Sequence, residues 1–332
     1  MDSDATLVTI VVAPRECFAY ARESLTSIYE HTKRPFTLVY VDGGSPRGLR
    51  CHLETRAREA GFKLIRTARY LSPNQARNLG LRHVTTKYVV FIDNDVSVTP
   101  GWLSSLVQCA EETGATIVSP LVCEGEPLHT TVHCAGGECG VAVEVRDDGV
   151  QRHLIEKIHD QGRPVAEVRD QLQRRPTGLA EFHCMLVRTD FLQRLGALDE
   201  AMLSTKEHVD LCISATQAGG MVYLEPRSLV TYVAGTLRWS DMPYYMLRWS
   251  DAWERMTLQH LAKKWDLTED DYFARRYRQL GWRRRMAIIE PVSRRLLFGH
   301  GVRPLRKVLL AVDRVVNPRI TRSHARRYGQ PA

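Results

Sequence analysis

The 332-residue sequence predicts an α/β fold, a mostly parallel sheet with helices on both faces, followed by a helical C-terminal extension. Three observations predict it. Apolar runs of strand length alternate with amphipathic segments over roughly the first 120 residues, as parallel strands joined by helical crossovers do. The run "YVVFI" at 88–92 is apolar at every position, as a strand covered on both faces must be. From Pro243 onward strand-like runs disappear and the pattern reads as helix throughout.

In chain order, "LVTIVVA" (7–13) reads as a strand, 17–31 as a helix, "FTLVYVD" (36–42) as a second strand and "GGSP" as the turn after it. A third strand falls near "FKLIRT" (62–67). "SPNQARNLGLRHV" (72–84) predicts a helix with Ser72 as N-cap and Pro73 in the first turn, where a missing N–H does no harm. After the 88–92 strand come a helix from Pro100 and a strand in "ATIVSPLV" (115–122). Residues 124–175 are polar, rich in Gly, His and Arg, and weakly periodic. They read as loops with an irregular strand or two, a substrate-shaping insertion. Regular pattern resumes in "AEFHCMLVRTDFLQRLGALDE" (180–200), a strand feeding a short helix. It continues in "EHVDLCISATQAGG" (207–220), a helix stopped by Gly219 and Gly220, and in the strands "MVYLEP" and "SLVTYV".

Apolar content of 44% and charged content of 25% are those of a globular protein. No apolar run approaches the ~20 residues that cross a bilayer, and residues 1–6 are acidic and polar, so the expected location is the cytoplasm. The eight cysteines form no CxxC pair and read as reduced thiols. His133, Cys134 and Cys139 in "HCAGGEC" lack a fourth ligand at zinc spacing and read as loop and strand. Charge is uneven: from Tyr272 on lie 16 of the 46 Arg and Lys but only two of the 38 acids, which leaves a body of −6 and a tail of +14. In that tail Leu305, Val308, Leu309, Val312, Val315 and Val316 follow helical spacing, while Arg303, Arg306, Lys307 and Arg314 take the other faces. Such a helix has three places to go: the body, a second copy in a homo-oligomer, or an anionic membrane surface, which would bring the protein to the inner face of the cell membrane. No recognition motif accompanies the charge, so no nucleic-acid partner is expected.

Asp93 and Asp95 close the buried 88–92 strand. Two bare carboxylates there repel each other and lose hydration, so a positive group is expected between them. Ligands of such sheets bind beyond the carboxyl ends of the strands, where Asp42 also falls.

Taken in this order, "TIVVAPRE", "VYVDGGS", "ARNLGL", "VVFIDND" and "ALDE" followed by "KEHVDLCISATQAGG" resemble the family 2 glycosyltransferases of the GT-A fold, over roughly residues 7–235. The resemblance implies a catalytic domain at 1–235, with a nucleotide-sugar half to about 123 and an acceptor half from 124, and a basic helical region at 236–332. It implies a glycosyltransferase that moves a sugar, with inversion, from a UDP-, GDP- or dTDP-sugar to a hydroxyl of a saccharide or lipid-linked acceptor in polysaccharide or glycolipid assembly. It places Pro14, Arg15, Glu16, Asp42, Gly44, Arg77, Asp93 and Asn94 around the donor, and Asp93 and Asp95 on Mn²⁺ or Mg²⁺, ions suited to hard oxygen ligands. Such a cation stabilises the departing diphosphate. Arg77, one turn into its helix, would contact the diphosphate or a neighbouring carboxylate.

The sequence departs from the family at three points. Gly43 stands where a second Asp is usual, which leaves the nucleobase open. Glu207-His208 stands where Glu-Asp is common, so the base acting on the acceptor is open among Glu207, His208 and Asp210. Tyr232 ends the segment after which a histidine often completes the metal shell. Trp239, Trp249, Trp253, Tyr244 and Tyr245 suit either a sugar-stacking platform or the core. Two other readings stay in play. One is a non-catalytic relative that binds or scaffolds; the other is a sugar-1-phosphate nucleotidyltransferase, against which "APRECF" offers no glycine for a phosphate loop.

Overall fold

The structure, a computed structural model, describes residues 6–16, 18–147, 149–233, 237–296 and 302–329. The strands are β1 (Val8–Ala13), β2 (Thr37–Gly43), β3 (Lys63–Thr67), β4 (Tyr88–Asp93), β5 (Val96–Val98), β6 (Ile117–Glu124), β7 (Val132–Cys134), β8 (Gly137–Arg146), β9 (Gly149–Ile158), β10 (Arg175–Thr177), β11 (Cys184–Arg188) and β12 (Val222–Tyr232). Ten of them form one sheet in the order β10-β12-β6-β11-β4-β1-β2-β3, with β5 on β12 and β7 on β6. β1 runs parallel to β2 and β4, β2 to β3, and β6 to β12. β11 lies antiparallel between β4 and β6.

Because successive side chains of a strand point to opposite faces, each central strand feeds two cores. Val8, Ile10 and Val12 of β1 and Tyr88, Val90 and Ile92 of β4 pack on one side with α1 (Ala21–His31), α2 (Arg47–Ala60) and α4 (Trp102–Thr113). Val11, Val89 and Phe91 pack on the other with α6 (Thr189–Leu195) and α7 (Glu207–Gln217). Helix α3 (Pro73–Leu81) starts where expected: the Ser72 backbone N–H donates to the Gln75 side-chain oxygen at 3.1 Å. Its Gly80 lets the helix lie against β1, since a Cβ there would come within 2.3 Å of Val11 Cγ1. Asn78 then ties α3 to the "ALDE" segment, donating to the Leu198 carbonyl at 2.8 Å and accepting from the Leu198 N–H at 2.9 Å.

Four expectations change. The helix expected from 17 begins at Ala21, and Cys17 lies outside the described residues. Helix α2 fills the stretch between "GGSP" and β3, its Gly61 C-cap in the left-handed region at φ 71°. Segment 124–175 is not mainly loop, because β8 and β9 pair through ten residues each as an antiparallel ribbon and the short α5 (Val165–Val168) follows. Its strand signal is the alternation of Val141, Val143 and Val145, weakened because Val143 and Val145 face solvent. "MVYLEP" and "SLVTYV" are one strand, β12, with an irregularity between Glu225 and Leu229.

The chain continues into α8 (Met242–Arg248), α9 (Asp251–Lys264), α10 (Asp271–Arg278) and α11 (Trp282–Arg284), which passes through a π turn at Arg285–Ile289 into α12 (Glu290–Leu296); α13 (Val302–Tyr328) follows. The expected division at 235/236 and the tail residues Leu297 and Phe298 lie outside the described residues. α13 docks on the body through Arg284 to Asp313 at 2.9 Å and through Asn317, which bonds the Met246 carbonyl and the Asp251 N–H. Val308, Val312 and Val315 remain half or more exposed. No helix among the described residues is long and apolar enough to cross a membrane.

Candidate active site

The register β2-β1-β4 sets Asp42 and Asp93 at the carboxyl ends of the two strands that flank β1, with Ala13 paired to Asp93. Beyond β1 the chain turns through Pro14, Arg15 and Glu16. Asn94 fixes that turn, its Oδ1 accepting from the Arg15 N–H at 3.0 Å.

Asp93 is gripped from both sides: Arg15 Nη1 donates to Oδ2 at 3.0 Å and Arg77 Nη2 to Oδ1 at 3.2 Å. Asp95 is different. It is fully buried, and neither of its side-chain oxygens has a hydrogen-bond partner among the described residues. Burial first, and the neighbouring charge of Asp93 second, push its carboxyl well above the usual range. A buried anion in this condition is costly unless a cation joins it. The site therefore fits a hard divalent ion on Asp95, with Asp93 neutralised and oriented by the two arginines.

Arg77 is itself 1% exposed, stacks on Phe182 at 3.8 Å, and sends Nη1 to Glu207 Oε1 at 3.4 Å. Arg248, from α8, reaches the same oxygen at 3.4 Å. Burial works against ionisation of Glu207, but Arg248 and Arg77 hold its carboxyl down at about 2. Glu207 is thus an anchor between two guanidiniums and a very weak base. Asp210, expected on the same helix face, is engaged elsewhere, by Lys264 Nζ at 2.8 Å and Trp265 Nε1 at 3.0 Å. His208 Nε2 is buried without a hydrogen-bond partner among the described residues, as is the second Glu207 oxygen, Oε2, but His208 is held by no guanidinium. That atom faces Glu156 Oε1 at 3.8 Å and Glu181 Oε1 at 3.9 Å. Lys206, which precedes this pair, holds φ at 69° and is ion-paired to Glu156 of the β8–β9 ribbon. A non-glycine residue in the left-handed region is strained, and here the strain sets the direction in which α7 begins.

At the end of β2, Asp42 Oδ1 accepts from the Ser45 N–H at 2.9 Å, while buried Oδ2 has no hydrogen-bond partner among the described residues and Arg66 stands 3.6 Å away. Gly43 is explained by space, because a Cβ there would lie 3.1 Å from Pro14 Cγ. Gly44 lines a cleft of about 530 Å³ with Arg69, Tyr70, Arg319 and Tyr328. The Pro14 carbonyl accepts from the Tyr244 hydroxyl at 3.3 Å. Glu16 is fully engaged, accepting from the Tyr232 hydroxyl and Trp249 Nε1, both at 2.8 Å, and paired with Arg15. Tyr244, Tyr245, Trp249 and Trp253 are buried, and only Trp239 is exposed in that aromatic group.

Sequence reasoning missed Arg248 and a cluster beside Asp93. His183 Nδ1 lies 3.5 Å from Asp93 Oδ2, His133 Nε2 lies 2.9 Å from Glu181 Oε2, and the rings of His133 and His183 stand edge to face at 5.0 Å. Glu181 and His183 sit in the turn that leads into β11, where no strand or helix periodicity in the sequence announces that they meet. Cys134 and Cys139 are not part of it: Cys134 alternates away from His133 into the core.

A doubly covered, mostly parallel sheet with an acidic doublet at the end of a central strand defines the GT-A architecture. Two solved structures share it: GalNAc-T7 with UDP, GalNAc and Mn²⁺ (TM-score 0.52, 14% identity, 85% of this chain and 56% of that one), and a mannosyltransferase from Pyrobaculum calidifontis with GDP-Man and Mn²⁺ (TM-score 0.51, 16% identity, 97% and 85%). The chain matches the profile of glycosyl transferase family 2 over residues 9–196, more than half its length, and belongs to that family. Among curated relatives, the pre-mycofactocin glycosyltransferase of Mycobacterium tuberculosis is 28% identical over 228 residues, 68% of this chain and 42% of the relative. Human polypeptide N-acetylgalactosaminyltransferase 15 is 24% identical over 241 residues, 70% and 36%. The chain thus spans about two fifths of the length of the curated relatives it matches.

Proposed function

We propose that the protein is a metal-dependent, inverting glycosyltransferase that moves a sugar from a nucleoside-diphosphate donor to an acceptor hydroxyl. The observation that carries this is Asp95, a buried carboxylate with no protein partner, set beside the Arg15–Asp93–Arg77 bridge in a family 2 chain. Mn²⁺ or Mg²⁺ held there would stabilise the charge of the departing diphosphate. Arg15 and Arg77 lock Asp93, so the lone pairs of Asp95 are the ones left to a cation. Asp42 Oδ2 would accept from a nucleobase N–H, which suits uracil, guanine or thymine.

His208 would take the proton of the acceptor hydroxyl. Its free Nε2 supports that role, and the Glu156 and Glu181 carboxylates beside it would stabilise the imidazolium that forms. Glu207, with its oxygen shared by two guanidiniums, would position Arg77. The acceptor is expected to be a saccharide or a lipid-linked saccharide. For the latter, the half-exposed Val308, Val312 and Val315 among tail arginines support contact with an anionic bilayer. The test is release of nucleoside diphosphate from UDP-, GDP- and dTDP-sugars with Mn²⁺ or with EDTA. One donor class turned over only with metal supports the proposal, and no metal-dependent turnover of any donor, with saccharide acceptors supplied, contradicts it.

A further inference from the structure

We infer that His133, Glu181 and His183 form a second cation site, for a borderline-soft divalent ion of the Zn²⁺ class, separate from Asp95. His133 Nε2, Glu181 Oε2 and a ring nitrogen of His183 lie within 4.8 Å of one another. His133 Nε2 is 2.9 Å and His183 Nε2 3.9 Å from Glu181 Oε2. Donor atoms of a tetrahedral ion with ~2.0 Å bonds sit roughly 3.3 Å apart, and the two Glu181 separations of 2.9 and 3.9 Å lie on either side of that value.

Two independent features point to a ligand rather than to a self-contained polar cluster. Glu181 Oε2 is buried, and His133 Nε2 meets it as an ion pair at 2.9 Å that lacks hydrogen-bond geometry. Each imidazole also has a carboxylate behind it. His133 Nδ1 bonds Glu124 Oε2 at 2.7 Å, and His183 Nδ1 faces Asp93 Oδ2 at 3.5 Å. The Glu124 carboxylate bonded to Nδ1 fixes the His133 tautomer and turns Nε2 toward a metal. With two imidazoles and one carboxylate the set prefers Zn²⁺ or Co²⁺ to Mg²⁺, whereas Asp95 offers oxygen alone. Three protein ligands leave a fourth position for water or a substrate oxygen. The inference stands on these residues and does not depend on sugar transfer.

The test is titration of the chelator-treated full chain with Co²⁺, read by visible ligand-field absorption, with Zn²⁺ competition and metal content measured in parallel. The expected result is one tetrahedral Co²⁺ per chain, displaced by Zn²⁺. His133→Ala and His183→Ala should weaken it at least a hundredfold. Glu124→Gln, a partly exposed position that should leave folding undisturbed, should weaken it 10- to 100-fold through the His133 tautomer. Asp95→Ala should keep the signal. Absence of tetrahedral Co²⁺ in the wild type overturns the inference. So does a signal untouched by Glu124→Gln and His133→Ala, or one lost with Asp95→Ala, which would place the ion at the other centre.

Discussion

Glu207→Gln separates an anchor from a base. In the folded protein one carboxylate oxygen serves Arg77 and Arg248, both at 3.4 Å and both about 1% exposed. The amide is nearly isosteric but uncharged, and it leaves two buried guanidiniums facing each other. Breaking a buried pair in this way costs ~3–5 kcal/mol, on the order of 5–10 °C in melting midpoint for a chain of this size. The pH dependence has the same origin. The folded Glu207 carboxyl titrates at about 2, below the ~4.3 of an unfolded glutamate, so its stabilisation is present above pH ~4.3 and is lost as pH falls toward 2. Differential scanning calorimetry at pH 7 should show the drop, and the acid loss of stability between pH ~4.3 and 2 should shrink in the variant. A Glu207→Gln protein that melts like the wild type but has lost turnover a thousandfold would refute the anchor and return the base to Glu207.

Four further outcomes are expected. His208→Asn should lower kcat by roughly 10²- to 10⁴-fold, and it should move the melting midpoint little, because Nε2 has no hydrogen bond to lose among the described residues. An unchanged kcat in His208→Asn excludes it as the base. Gly80→Ala should destabilise by ~1–3 kcal/mol in thermal melts through the clash with Val11, and Val11→Ala should recover part of that loss; a wild-type melt would show that α3 is not so closely seated. Asp42→Asn should weaken nucleotide affinity, measured by calorimetry, while preserving the melt; unchanged affinity removes Asp42 from base recognition. Cosedimentation with phosphatidylserine vesicles should succeed at low salt and fade as ionic strength rises, and its absence at low salt removes the membrane from the tail's account.

The carboxyl edge of the sheet was legible because it is local. The apolar run of β4 ending in Asp93, the Pro73 start of α3 and the spacing that aims Arg77 at the sheet edge are short-range facts that tertiary packing left alone. The resemblance added the order of the motifs, and the structure explains one link between them: Asn78 of "ARNLGL" bonds Leu198 of "ALDE", 120 residues away. The surroundings of the α7 start were not legible for three physical reasons. Lys206 adopts a positive φ that no residue type announces. Arg248 comes from a helix that sequence pattern does not dock. The ribbon carrying Glu156 hides its alternation by exposing its valines. His133 looked like a partner for Cys134 and Cys139, yet strand alternation turns Cys134 away into the core, and the turn before β11 brings Glu181 and His183 beside His133 instead.

The central claim is that Asp95 holds the cation on which donor binding depends. Calorimetric titration of UDP, GDP and dTDP with Mn²⁺ or EDTA, into wild type and Asp95→Ala, tests it most directly. The account predicts one nucleotide that binds wild type only with Mn²⁺ and binds Asp95→Ala at least a hundredfold more weakly. It also predicts that the metal-free variant melts no lower than wild type, because the carboxylate removed was buried and unpartnered. Equal Mn²⁺-dependent affinity in the two proteins, or no nucleotide bound by folded wild type, would contradict the claim.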